Sequence, residues 1–145
     1  MIRRLTALLL AGLIFSACGT ESTVTAMRTW VTQSSFRSSL AVLSSDAHNS
    51  AKALEIPSMS SANLHTVCGV LLVDTESANA SLPTPDSQST TLLSSAYTNL
   101  GAAANECYNA AGSPAKRARA LLSTSKGLAA LSEAAARIDV ATASK

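Results

Sequence analysis

Leu82-Pro83-Thr84-Pro85-Asp86 is the stretch on which the fold turns. Its two prolines fix φ, remove two backbone donors and bias Leu82 and Thr84 away from helical geometry, so no helix runs through it. On either side the apolar residues recur at helical spacing. Leu64, Val67, Cys68, Leu71, Leu72, Thr75, Ala78 and Leu82 form one stripe, and Leu93, Ala96, Leu100, Ala103, Cys107 and Ala110 form the next. Ser60 or Ser61 caps the upstream helix, Asp86 or Ser87 the downstream one. The run from Val67 to Val73 is valine-rich, as strands are, but the helical spacing around it decides for helix. A tight turn between two such helices predicts an antiparallel pair. Cys68 lies 15 residues before Pro83 and Cys107 lies 21 after Asp86, both on inward stripes, so the two thiols fall at similar height and a disulfide is expected between them.

Farther along, Gly112-Ser113-Pro114 supplies a left-handed helix end, the next cap and a proline suited to the first helical position. The last helix is expected to carry Leu121, Leu128, Leu131, Ala135 and Ile138 inward, with Glu133 and Arg137 as an i, i+4 surface pair. Before Pro57, the residues Val24, Met27, Val31, Phe36, Leu40, Leu43, Ala47, Ala51 and Leu54 trace one long amphipathic helix that slips in phase near Ser34-Ser35. The expected fold is all-α: an antiparallel four-helix bundle with one disulfide between its second and third helices.

Composition constrains how such a bundle packs. Among 145 residues there are only two Phe, two Tyr and one Trp, while Ala and Ser dominate. Alanine with scattered Leu and Val cannot fill wide spaces, so the helices must approach closely and bury little apolar area per residue. Closing the 39-residue separation between Cys68 and Cys107 offsets that shortage, by about 4 kcal/mol on chain-entropy grounds.

The N-terminus has a different character. Arg3 and Arg4 precede an apolar run from Leu5 to Phe15, then Ser16-Ala17-Cys18. Eleven residues of helix reach about 16 Å, half the hydrocarbon thickness of a bilayer, which suits a secretion signal better than a permanent span. Phe15-Ser16-Ala17-Cys18 resembles the lipobox of bacterial lipoproteins, with Phe15 where that family usually has an aliphatic residue. The resemblance implies that residues 1–17 are a signal peptide and that the Cys18 thiol takes a diacylglycerol. Residues 18–23 are then a lipidated cysteine and short tether, and residues 24–145 the helical domain. Such a protein is exported and anchored to the outer face of the bacterial cytoplasmic membrane. Ordinary cleavage after Gly19 is the alternative, since Ala17 and Gly19 are also small at the required separation. Three cysteines leave an odd one in an exported protein, and lipidation of Cys18 resolves that count.

Loss of the signal removes Arg3 and Arg4, which lowers the basic residues from 11 to 9, equal to the 9 acidic ones. No global charge favours nucleic acid as a partner. The cysteine pair and the Pro-x-Pro-Asp turn at 83–86 are similar to those of small Ala-rich exported helical proteins from high-GC Gram-positive bacteria or their phages, a resemblance that carries no catalytic residues.

Candidate chemistry is sparse. His65 and Cys68 at i, i+3 offer two metal ligands, but a cysteine pair leaves one, and neither metal nor cofactor is expected. His48 reads as a surface residue near a helix end, and Trp30 as a core plug or a partner contact. Asp74 and Glu76 are two apart and so face differently, while no nucleophile elbow or phosphate loop is present. Asn79-Ala80-Ser81 matches a glycosylation sequon without meaning in most bacteria. Lys116, Arg117, Arg119 and Lys126 open the last helix, where the dipole prefers acids; they are either a solvated face or a contact for anionic headgroups or an acidic partner. The functional expectation is a non-enzymatic, membrane-anchored surface lipoprotein that binds an envelope component. The alternative is a phage or prophage lipoprotein conferring superinfection exclusion.

Overall fold

The computed structural model describes residues 22–143. They form five α-helices: α1 Thr23–Gln33, α2 Phe36–Glu55, α3 Ser61–Asn79, α4 Ser87–Tyr108 and α5 Pro114–Ala143. The all-α expectation holds. The signal segment, Cys18 and the first residues of the tether lie outside the described residues.

The count of four helices is corrected to five, because the long first helix is two. Ser34 closes α1 by donating its hydroxyl to Trp30 O at 2.7 Å, and Ser35 then adopts left-handed geometry at φ 52° before α2 begins. What reads in the sequence as a slip of phase is thus a corner. It allows Met27 and Phe36 both to be buried, which a straight helix through that slip could not achieve. Trp30 packs on Phe36 with ring centroids 5.5 Å apart, and its indole N–H donates to Ser81 O at 2.9 Å, tying α1 to the end of α3.

Caps explain the other boundaries. Ser60 Oγ accepts from Asn63 N–H at 3.2 Å to start α3, and Asp86 Oδ2 accepts from Ser89 N–H at 2.9 Å to start α4. Gly112 takes φ 71°, a conformation that suits glycine, and Ser113 Oγ accepts from Lys116 N–H at 3.4 Å as α5 begins at Pro114. The turn at 82–86 is organised by Thr84, buried between its prolines: its hydroxyl donates to Asp86 O at 2.6 Å and its N–H to Thr90 Oγ1 at 2.9 Å.

Cys68 and Cys107 form a disulfide with Cα atoms 5.8 Å apart; in five-helix numbering it joins α3 to α4. Around it lies a small core of Ala53, Leu54, Leu64, Ala110 and Ala120. The larger core, centred on Leu43, Leu71, Leu93, Leu100, Leu131 and Ile138, fills the α1 end. The α4 stripe is buried as expected.

The inward stripe of α5 differs from expectation. Leu121, Leu128 and Ala135 are only half-buried; the buried positions are Arg117, Ala120, Thr124, Gly127, Leu131, Ala134 and Ile138. Helix α5 packs so closely on α4 that a Cβ at Gly127 would stand 2.7 Å from Leu100 Cγ and 3.1 Å from Leu100 N. Small residues therefore take most of the contact line, and Leu121 and Leu128 flank it. Glu133 and Arg137 do not pair either: Arg137 reaches Asp86 at the head of α4 through two hydrogen bonds of 2.9 and 2.7 Å.

Gly127→Ala is expected to lower stability by about 1–2 kcal/mol in urea unfolding, the overpacking outweighing alanine's better helix propensity. Gly69, where an added methyl would meet only open space, is the control: Gly69→Ala should stabilise by up to about 1 kcal/mol. Replacing both Cys68 and Cys107 with Ala should cost about 4 kcal/mol, and loss of less than a quarter of that would mean the crosslink constrains the unfolded chain little.

Candidate functional site

The end of the molecule where α2 and α4 finish and α3 and α5 begin gathers most of the residues singled out from the sequence. Arg117 is its centre. Lying in the first turn of α5, it is buried, with its guanidinium donating to Leu54 O at 3.0 Å, Ile56 O at 2.8 Å and Met59 O at 3.4 Å. Those carbonyls belong to the end of α2 and the loop after it, where the helix dipole is negative and no intrahelical donor remains. A cation that looks misplaced in its own helix is thus well placed for its neighbour's.

This takes Arg117 out of the exposed basic face. Lys116, Arg119 and Lys126 remain exposed. Lys116 and Arg119 border a shallow cavity of about 240 Å³ with Asn105, Glu106 and Asn109 of α4. Glu106 accepts from the Ser123 hydroxyl at 3.0 Å, so an acid stands beside the two cations. On the other side of α5, Leu54, Pro57, Pro114, Ala118 and Leu121 line an apolar cavity of about 370 Å³ with Arg117 in its wall.

His65 and Cys68 are not brought together as ligands. Cys68 is in the disulfide, and the His65 ring stacks on Tyr108 with centroids 3.9 Å apart and planes 5° from parallel. Among the described residues no three His, Cys, Asp or Glu side chains converge as a metal group. His48 is exposed, with Nδ1 2.6 Å from Ser44 O. Trp30 and Phe36 belong to the opposite end of the molecule, as does the Arg28 Nε bond to Thr142 O at 2.9 Å.

Two acidic groups acquire partners that residue spacing did not suggest. Asp86 accepts from Arg137 and from both the N–H and hydroxyl of Ser89, and the Arg137 guanidinium beside it holds its carboxyl well below the usual carboxylate range. Asp74 faces Asp46 of α2 rather than Glu76; burial, and then the neighbouring Asp74 carboxyl, push Asp46 above its ordinary value. Burial also pushes the Tyr97 phenol up to about 12, so this hydroxyl keeps its proton at neutral pH. The legible signals among these were the Asp86 cap and Arg117, a cation in a first turn. The Asp86–Arg137 and Asp46–Asp74 pairings join residues far apart in sequence on different helices.

Comparison of the chain with protein-family models, with curated proteins and with solved structures found no match.

Arg117→Met should destabilise the domain by about 2 kcal/mol, because it strips the donor from the buried Leu54 carbonyl and one donor each from the part-buried Ile56 and Met59 carbonyls. Arg119→Met, at an exposed position, should change stability by less than about 0.5 kcal/mol. Equal effects of the two in urea unfolding would contradict the capping role.

Proposed function

We propose that this chain is an exported lipoprotein in which α2 to α5 form an antiparallel four-helix bundle, capped at one end by α1. Lipidated Cys18 holds that domain at the outer face of the bacterial cytoplasmic membrane, where it acts as a non-enzymatic binding module of the envelope.

The observation that carries this reading is the junction between the lipobox-like segment and the first helix. Ser22 Oγ accepts from Thr25 N–H at 3.3 Å, and α1 starts at Thr23, five residues after Cys18. Five extended residues reach at most about 17 Å, so an acylated Cys18 would keep the folded domain beside the headgroups. No helix among the described residues is long and apolar enough to cross a membrane, and an acyl anchor needs none.

Placement of α1 then orients the domain. Its contact with Thr142 puts the tethered end where α5 finishes. From Thr142 back to Lys116 is 26 residues of helix, about 39 Å at 1.5 Å per residue. In an upright domain the end carrying Lys116, Arg119 and the apolar cavity is held away from the bilayer, which suits an acidic partner better than the tethering leaflet. Those residues could meet headgroups only with the long axis lying along the membrane.

Expressed in a bacterial host that processes lipoproteins, the protein should be recovered from membranes with a mature N-terminus at Cys18 carrying a diacylglycerol mass. Cys18→Ala should move it to the soluble exported fraction. An unacylated wild-type product starting beyond Gly19 would overturn the anchor.

A further inference from the structure

Helices α2 and α3 meet along a seam that carries polar groups without complementary partners. The Asp46 carboxyl of α2 lies within hydrogen-bonding reach of Asp74 on α3, and its Oδ2 is buried with no donor beside it. One turn farther along α2, Ser50 is fully buried and its hydroxyl is unpartnered. Asp74 is half-buried and lines a cavity of about 210 Å³ between the helices, together with Ser38, Ser39, Leu43 and Ser77. Buried polar atoms left unsatisfied each weaken a contact they sit in.

Among the described residues no cation compensates the pair. On α2, Arg37 pairs with Asp139 of α5, His48 is turned to Ser44 O, and Lys52 and Glu55 are exposed. On α3, His65 is stacked on Tyr108 and Glu76 is exposed. Where α5 lies against α2 it presents Leu128, Leu131, Ser132 and Ala135 together with Asp139, which is taken by Arg37. Its own Arg117 and Arg137 are held elsewhere, and Lys116, Arg119, Lys126 and Glu133 are exposed. Arg28 of α1 is bonded to Thr142 O, and Glu106 of α4 to Ser123.

Two carboxylates in such contact repel when both are ionised, whereas a single proton converts the contact into an O–H···O bond. We propose that the α2–α3 seam is an acid-closed latch, in which one proton shared by Asp46 and Asp74 holds the helices together and its loss loosens them. Loosening bares Leu43 and Ala78, the buried apolar residues of the adjoining cavity. The latch is a property of the folded domain and does not depend on the lipid anchor.

The folded protein binds this proton more tightly than the unfolded chain, since Asp46 is raised from 3.8. Its stabilising contribution is complete below 3.8 and is lost as pH rises through the folded value. Asp86 acts with the opposite sign: its carboxyl is lowered from 3.8, so its contribution is present above that value and lost on further acidification. Stability should peak in mild acid.

Hydrogen exchange of the purified full-length protein, corrected for intrinsic rates and compared at about pH 4 and about pH 8, reads the latch directly. Residues 42–50 and 70–78 should lose protection several-fold at the higher pH while 93–107 and 120–138 change little. Asp74→Asn supplies an amide that donates to Asp46 at either pH, and should remove the difference; Asp46→Asn makes the same comparison if the first variant folds poorly. An equal loss across all helices, or an unchanged pH response in both variants, would overturn the proposal. So would restoration of the seam at about pH 8 by millimolar calcium, which would make the pair a cation site instead.

Discussion

The close approach of α5 to α4 at Gly127 is the constraint on which the rest of the structure depends. With a Cβ there placed 2.7 Å from Leu100 Cγ, the contact line around this point favours small side chains, and Ala120, Thr124, Gly127 and Ala134 lie on it, with Leu131 and Ile138 as its large buried members. A core of that kind is dense but shallow, since little apolar area leaves water per residue. Cohesion must then come from ties that do not depend on side-chain volume.

The structure places such ties at both ends. The disulfide joins α3 to α4 beside the smaller core, and Arg117 caps α2 from the first turn of α5. At the opposite end Asp86 caps α4 and binds Arg137 from the last turns of α5, while Trp30 and Arg28 fasten α1 across the ends of α3 and α5. Arg117, Trp30 and Arg28 each donate to carbonyls at or just beyond the end of another helix, so the groups that satisfy those ends also set which helices adjoin. The α2–α3 seam contrasts with these contacts. It joins two acids where the others join opposites, which is why its cohesion responds to protons in the direction opposite to that of Asp86.

For the proposed binding module this division matters. The charges that the fold uses internally, Arg117, Arg137 and Asp86, are held in place by caps. Those left exposed on α5, Lys116, Arg119 and Lys126, keep their side-chain freedom. Exposed cations around the disulfide-tied end would, under that proposal, meet a partner without disturbing the packing beneath them.

The sequence by itself determined the local features: the Pro83–Pro85 turn, the caps at Ser60 and Asp86, the Gly112-Ser113-Pro114 boundary, the α4 stripe and the cysteine pair. Each follows from backbone preferences or from spacing along one helix, which act over a few residues. It also showed the disturbance at Ser34-Ser35, though not that the chain turns a corner there, because whether a phase slip bends or breaks a helix depends on what Phe36 and Trp30 must meet. Only the tertiary structure decided which α5 residues face inward, where Arg117 and Arg137 find acceptors, and that Asp46 meets Asp74. Those outcomes depend on how closely two helices approach and on which termini are left unsatisfied nearby. Periodicity ranks faces by hydrophobicity, whereas packing at this distance also ranks them by size, and so Ala120, Thr124, Gly127 and Ala134 lie inside with Leu131 and Ile138, while Leu121 and Leu128 lie beside them.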